Sequence, residues 1–242
     1  MRKSFLVALS LLLSGIVMAQ SDSTVKRSML SSRGLPKGND HFLVQGGITQ
    51  WSGRPDTLST TGISRSLNIY FMMAFPFRTN PHLSAAIGLG VGSDNMFFKN
   101  TDIRIRDNVN TIAFRNVADT NHFKKYKLTT DYLEVPLELR WTSRPDDDAH
   151  SFKVALGVKV GTLLNAKTKG KNLLDRAGTS ISDYKEKEFS KRFFNSQRFS
   201  ATGRIGYGHF GIFASYQISQ VFKENNGPNV HPFTVGLSLT GL

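Results

Sequence analysis

The sequence contains no cysteine. That excludes disulfide staples, thiolate metal sites, a cysteine nucleophile and the lipid-modified cysteine of a lipoprotein. Acids are scarce: 18 Asp and Glu stand against 31 Lys and Arg, a formal charge of +13. Long apolar runs are scarcer still. With 20% charged residues and a mean hydropathy of -0.24, the chain is no bundle of transmembrane helices, each of which needs about 20 consecutive apolar residues. Residues 1–19 alone approach such a run, with Arg2 and Lys3 leading an apolar core over 5–17 and Val17-Met18-Ala19 preceding Gln20. This is the pattern of a cleaved secretory signal, so Sec export and a mature chain starting at Gln20 are expected. Cleavage would remove two bases and no acid, leaving 29 against 18, or +11. The bases are scattered over loops and one strand face rather than gathered on a helix, so nucleic acid is not the expected partner. An anionic outer membrane is the more economical one.

What the sequence has in place of helices is alternation. Residues 131–141 read Asp-Tyr-Leu-Glu-Val-Pro-Leu-Glu-Leu-Arg-Trp. Successive side chains of a strand point to opposite faces, so Leu133, Val135, Leu137, Leu139 and Trp141 share one face while Tyr132, Glu134, Pro136, Glu138 and Arg140 share the other. Similar runs begin near residues 41, 67, 83, 152, 198, 210 and 231, after a polar lead-in over 20–40 expected to be flexible and periplasmic. That makes eight strands. Their connections alternate in length: long near 52–65, short at 79–81, long over 93–127, intermediate at 143–150, long over 166–196, very short at 208–209 and moderate at 223–230. An even strand number with short turns at one end and long loops at the other is the habit of membrane barrels. The expected fold is therefore all-β, an eight-stranded antiparallel up-and-down transmembrane barrel over 41–242 with long extracellular loops. Within 93–127 a small hairpin around Asn108-Val109-Asn110 is expected to project beyond the barrel, and 166–196 reads as a polar loop.

The apolar faces carry no central charge, and the aromatics Phe42, Phe75, Phe77, Trp141, Phe152, Phe210 and Phe233 fall near strand ends, so lipid is expected outside. The polar faces would then line the lumen with Arg78, Glu134, Glu138, Arg140, Lys153, Lys159, Arg198 and Arg204. Eight strands leave an interior that side chains just fill, and buried charges must pair. A turn closing symmetrically over 143–150 would set Glu134 opposite Lys159 and Arg140 opposite Lys153, with Glu138 diagonal to Lys153. Two carboxylates would then serve six bases. On the polar face of strand 3, with Gly88, Gly90 and Gly92, glycine would leave room for the longer lumen side chains of other strands.

No catalytic, cofactor or metal set is expected. His122 is the best-placed histidine for an outer-rim hydrolase, with Asp131 taken as near, but no nucleophile motif accompanies it. His82 and His209 fall at turns, His41, His150 and His231 at strand starts, and none has metal-ligand spacing with another. The runs Lys185-Glu-Lys-Glu188 and Lys191-Arg192 read as solvated loop.

The ending Met18-Ala19-Gln20, the strand Ser66-Leu-Asn-Ile-Tyr-Phe-Met72, the phrase Tyr132-Leu-Glu-Val-Pro-Leu-Glu-Leu-Arg140 and the run Ala155-Leu-Gly-Val-Lys-Val-Gly161 resemble the outer-membrane beta-barrel family of Bacteroidetes, often labelled PorT-like. The resemblance spans about residues 40–242. It implies a small integral outer-membrane barrel, with one branch serving type IX secretion. The role expected is structural or interactive, with loops meeting surface partners; a secretion component and, less favoured, a lipid-modifying enzyme are the alternatives. Expected partners are outer-membrane lipid and lipopolysaccharide, then envelope proteins, around a monomer with no cofactor.

Overall fold

A computed structural model describes residues 42–55, 58, 60 and 63–241. The expected signal, the lead-in over 20–40 and the start at Gln20 lie outside the described residues. Eleven strands succeed one another: β1 (Phe42–Ser52), β2 (Arg65–Pro76), β3 (Leu83–Phe98), β4 (Thr101–Ile103), β5 (Phe114–Asn116), β6 (His122–Thr142), β7 (Phe152–Leu174), β8 (Ser180–Phe189), β9 (Gln197–Tyr207), β10 (Phe210–Gln217) and β11 (His231–Thr240). Eight of them form a closed antiparallel ring in the order β6-β3-β2-β1-β11-β10-β9-β7, sealed by β6 on β7. β1 pairs with β11, so the first and last strands of the barrel are neighbours. Closure removes every sheet edge within the ring.

The alternation read in the sequence fixes which face is which. On β2, Leu67, Ile69, Phe71, Met73 and Phe75 are exposed while Ser66, Asn68, Tyr70 and Met72 are buried. β6 repeats the pattern, with Leu133 to Trp141 outside and Tyr132, Glu134, Glu138 and Arg140 inside. The barrel is thus apolar outside and polar inside, the arrangement of a wall in lipid. Phe42, Phe75, Phe77, Trp141, Phe152 and Phe210 gather at the short-turn end, where the rings of Trp141 and Phe152 meet edge to face at 6.4 Å. The tightest turn there joins β9 to β10 through Gly208, whose φ of +57° favours glycine and where a Cβ would stand 2.5 Å from the Ala149 carbonyl oxygen.

At the other end the sheet does not stop at the rim. β6 and β7 stay paired up to His122 and Leu174, and β8 pairs with the far part of β7 from Lys167 onward, so three strands stand beyond the barrel. The polar stretch 166–196 is therefore largely sheet, a correction to its reading as loop. β7 hands its pairing from β9, which ends at Thr162, to β8, and between the two Leu164 is an extra residue against β6, a bulge at Asp131/Tyr132. A bulge shifts the phase of the alternation by one. Beyond it Lys167, Lys169 and Lys171 face outward where unbroken alternation would have turned them in.

The hairpin within 93–127 exists as β4 on β5, but its apolar residues do not project. Ile103, Ile105 and Ile112 join Trp51, Phe98, Leu128, Phe193, Phe194 and Phe222 in a buried cluster contributed by all four long connections and the ends of the barrel strands. Phe222 is its hub, with Trp51 at 5.8 Å, Phe114 at 5.8 Å and Phe194 at 5.2 Å between ring centroids. Backbone bonds tie the segments together, from Ile112 N–H to the Asn226 carbonyl (2.8 Å) and from Leu163 N–H to the Ser196 carbonyl (2.8 Å). The hairpin folds inward because three isoleucines side by side gain more from covering the mouth than from facing water.

Candidate functional site: a sealed, charged lumen

Glu134 occupies the middle of the lumen wall and has no solvent exposure. Its strand neighbours are Gly90 on β3 and Gly161 on β7. A Cβ added at Gly161 would stand 3.0 Å from Glu134 Cγ, and one at Gly92 would stand 2.8 Å from Oε2. The glycines thus hollow out the recess that the carboxylate fills. Lys159 Nζ lies 3.9 Å from Oε2 and Arg198 Nη1 lies 3.2 Å from Oε1, and the Tyr70 hydroxyl donates to Oε2. Arg198 reaches further to Asp94 (2.7 Å) and lies over the Tyr132 ring at 4.8 Å. Two acids and two bases therefore balance in this upper group.

Two residues before Arg140 on β6, and on the same face, Glu138 builds a second group at the short-turn end. Its Oε2 accepts from Arg140 Nε (2.8 Å) and Arg204 Nη2 (2.9 Å). Gly157 stands opposite Glu138 on β7 and Ala86 opposite it on β3, again small residues beside a long one. Lys153 turns to Asp148 of the adjoining turn at 3.3 Å. A cavity beside Arg140, Lys153 and Arg204 holds about 20 Å³, room for about one water.

The register differs from the symmetrical closure expected. Thr142 faces Lys153, so Glu134 faces Gly161, Glu138 faces Gly157, Arg140 faces Ala155 and Lys159 faces Pro136. The turn carries a short 3-10 helix at Asp148–His150, with Asp147 accepting from the His150 N–H, and it consumes more residues on the β7 side than on the β6 side. The pairing moves by two, which preserves the faces. Glu134 and Lys159 still meet, diagonally, whereas Arg140 and Lys153 are not partners. Arg78 lies beyond the end of β2, exposed in the turn, outside the lumen. Asp94 was missed because the glycine alternation of β3 was followed only to Gly92; one more step of two reaches it.

His122 is half-buried, its Nδ1 beside the Thr120 carbonyl at 2.9 Å. Asp131 is nine positions along the same strand, about 30 Å at 3.3 Å per residue, where it accepts from Ser93, Asn165 and Lys167. The two are not near each other, and the expected nearness is withdrawn. Among the described residues no group of three His, Cys, Asp or Glu could hold a metal ion.

The apolar cluster closes the lumen at the long-loop end. Tyr132 belongs both to it and to the Arg198 stack. Higher up, the Tyr126 hydroxyl donates to the Ile103 carbonyl at 2.7 Å and accepts from its N–H at 3.1 Å, pinning the hairpin to β6. Burial holds that phenol above its ordinary value, so it stays a donor.

Among solved structures, the attachment invasion locus protein Ail of Yersinia pestis resembles the chain in two crystal structures. One is its complex with the heparin analogue sucrose octasulfate, at 14% identity and a TM-score of 0.31. The other is Ail alone, at 11% identity and a TM-score of 0.33. Each comparison covers 82% of this chain and 94% of Ail. Likenesses of that degree assign neither an activity nor a ligand. No curated protein sequence matches the chain significantly. The family model described as outer membrane protein beta-barrel domain matches residues 22–220, and the chain belongs to that family.

Proposed function

We propose that this outer-membrane barrel conducts nothing and serves as a stalk: its wall anchors, its lumen network and apolar cap make it rigid, and the β-structure beyond the rim is the part that meets surface partners. The observation that carries this reading is the double closure of the lumen, by ion pairs around Glu134 and Glu138 and by the cluster around Phe222. A pore would need a continuous polar path, and an apolar plug over a filled eight-stranded interior denies it. In this reading the long-loop end faces the medium, as long loops do in such barrels, and residues 1–19 direct export. Planar-bilayer recordings should show no unitary current from the wild type, and steady ion currents from it would refute the stalk. Sequencing the mature protein should begin at Gln20.

A place in a secretion machinery of the PorT-like kind rests on the phrase from Tyr132 to Arg140. Its polar residues point into the lumen and its apolar ones into lipid, so the phrase supports the wall itself rather than a docking surface. Co-purification from cross-linked cells would separate the two: secretion components recovered with the barrel favour the machinery.

A further inference from the structure

Beyond the apolar belt, the outward face of β6 and β7 changes chemistry. On β6 the residues beyond Leu133 on that face are Asp131, Thr129, Lys127 and Lys125, of which Thr129 is covered and bonded to Asn95; on β7, past the bulge, they are Lys167, Lys169 and Lys171. β8 continues the face with Lys185 and Lys187. The register lines these residues up. Lys127 stands opposite Lys169, which stands opposite Lys187; Lys125 stands opposite Lys171, which stands opposite Lys185. Two files of three lysines cross the three strands side by side.

Directly opposed residues of an antiparallel pair have Cβ atoms about 5 Å apart, and like charges there oppose pairing. Of the three acids of β8, Glu186 and Glu188 do not relieve this, because alternation sends them to the other side of the sheet, where they line a cavity of about 170 Å³ with Tyr126 and Tyr184, and Asp183 lies past the second file, where the register of β7 and β8 shifts. Across the two files, one face of the sheet thus carries lysines and the other carries Glu186 and Glu188. An ordinary solvated surface mixes the signs. Asp131, at the foot of the files, is engaged by Lys167 at 3.0 Å. Lys127 is held below the ordinary lysine value, first by desolvation and then by Lys169 and Lys167, so the crowding of charge is felt within the face.

We propose that this lysine face seats the phosphate groups of a phosphorylated glycolipid in the outer leaflet. The face is the direct upward continuation of the lipid-facing wall, on its flank and not on its summit, so its neighbours in a membrane are headgroups. Lys127 is six positions above Leu133, roughly 15 Å along the barrel axis at 3.3 Å per residue and a tilt near 40°. The headgroup layer of an ordinary phospholipid is only about 5–8 Å deep. A phosphorylated sugar headgroup is taller, and lysine stems can bend down to it. The proposal rests on the reading that the long-loop end faces the medium.

The test uses full-length mature protein in nanodiscs of zwitterionic phospholipid, with or without bis-phosphorylated lipid A, read as melting temperature. The phosphorylated glycolipid should raise the melting temperature, high salt should erase most of that rise, and dephosphorylated lipid A should give none. K169Q/K171Q/K185Q/K187Q should lose most of the rise while melting no lower than wild type in the zwitterionic discs, since three of the four positions are exposed, Lys169 is half-buried, and the changes relieve repulsion. An undiminished rise in the variant, or an equal rise with dephosphorylated lipid, would overturn the proposal. Soluble polyphosphate binding the lysine face equally well in discs that already contain lipid A would show a free surface and overturn the lipid assignment. Trypsin added to intact cells reads the orientation separately: cleavage within 171–192 supports it, and protection there would refute the stalk reading whatever the nanodiscs show.

Discussion

Replacing Glu134 by alanine isolates the energetics of the lumen. The carboxylate is fully buried and serves Lys159, Arg198 and the Tyr70 hydroxyl at once. In the variant Arg198 retains Asp94, but Lys159 is left with the Tyr70 oxygen at 3.5 Å and, among the described residues, no anion at ion-pair distance, Asp94 and Glu138 acting on it only from further off. Removing one partner of a buried pair costs about 3–5 kcal/mol, because the remaining charge has neither water nor counter-ion. With a urea dependence of roughly 2 kcal/mol per molar, the unfolding midpoint in detergent should fall by about 2 M. Asp119, whose pair with Arg176 is mostly exposed, is the control; D119A should stay within about 1 kcal/mol of wild type. E134Q keeps the shape and folds if E134A does not, and should fall in the same direction. E134Q/K159M removes both charges and should recover most of the loss, since a buried pair contributes little net stability as a unit. Equal midpoints for E134A and D119A, or a double variant no more stable than E134Q, would refute the reasoning.

Gly161→Val should destabilise by about 1–3 kcal/mol, as overpacking does, because its branches would enter the space held by Glu134 Cγ; a midpoint at or above wild type would mean the recess can yield. Phe222→Ala removes the hub of the cap, and should cost about 3–5 kcal/mol, with accelerated hydrogen exchange at Ile112 and Leu163 before the barrel strands. Glu188, beyond the rim, has its carboxyl raised above the ordinary range, first by desolvation and also by Glu186. A raised acid favours the folded state fully below its unfolded value and loses that favour as pH rises through the folded value. Protease resistance of β8 should therefore fall as pH climbs through that window, and E188Q should flatten the dependence.

The wall of the barrel was legible because lipid and lumen impose a strict period of two. Leu67 to Phe75 and Leu133 to Trp141 could be read residue by residue, and so could the inward set that includes Glu134, Glu138, Arg140, Lys159, Arg198 and Arg204. The pairing of β6 with β7 was not, because the sequence does not show how many residues a turn consumes on each side; the 3-10 helix at Asp148–His150 displaced it by two. Arg78 was misplaced for a related reason, since alternation runs on past Pro76 although the pairing ends there. The cap left no periodic trace at all. Its residues come from segments distant in sequence, such as Trp51, Ile112, Phe194 and Phe222, and only tertiary contact makes them one cluster.

The bulge at Leu164 explains why the extension of β7 was hardest to see, and why it has to be there. Along β6 the odd positions keep one phase from Trp141 to Lys125, with Thr129 alone among them buried. On β7 the outward positions are even from Phe152 to Leu164 and odd from Asn165 to Lys171. Either phase traced alone breaks at Leu163-Leu164-Asn165, and the residues beyond the break then pass for loop. Were Leu164 held in regular alternation instead of absorbed in the bulge, Ala166, Thr168 and Gly170 would face outward, and Lys167, Lys169 and Lys171 would point into the cluster that holds Leu128 and Tyr126. Three unpaired ammonium groups in an apolar core cannot be sustained. The bulge that absorbs this one residue therefore keeps Ala166 in the mouth and the lysines on the flank of the wall.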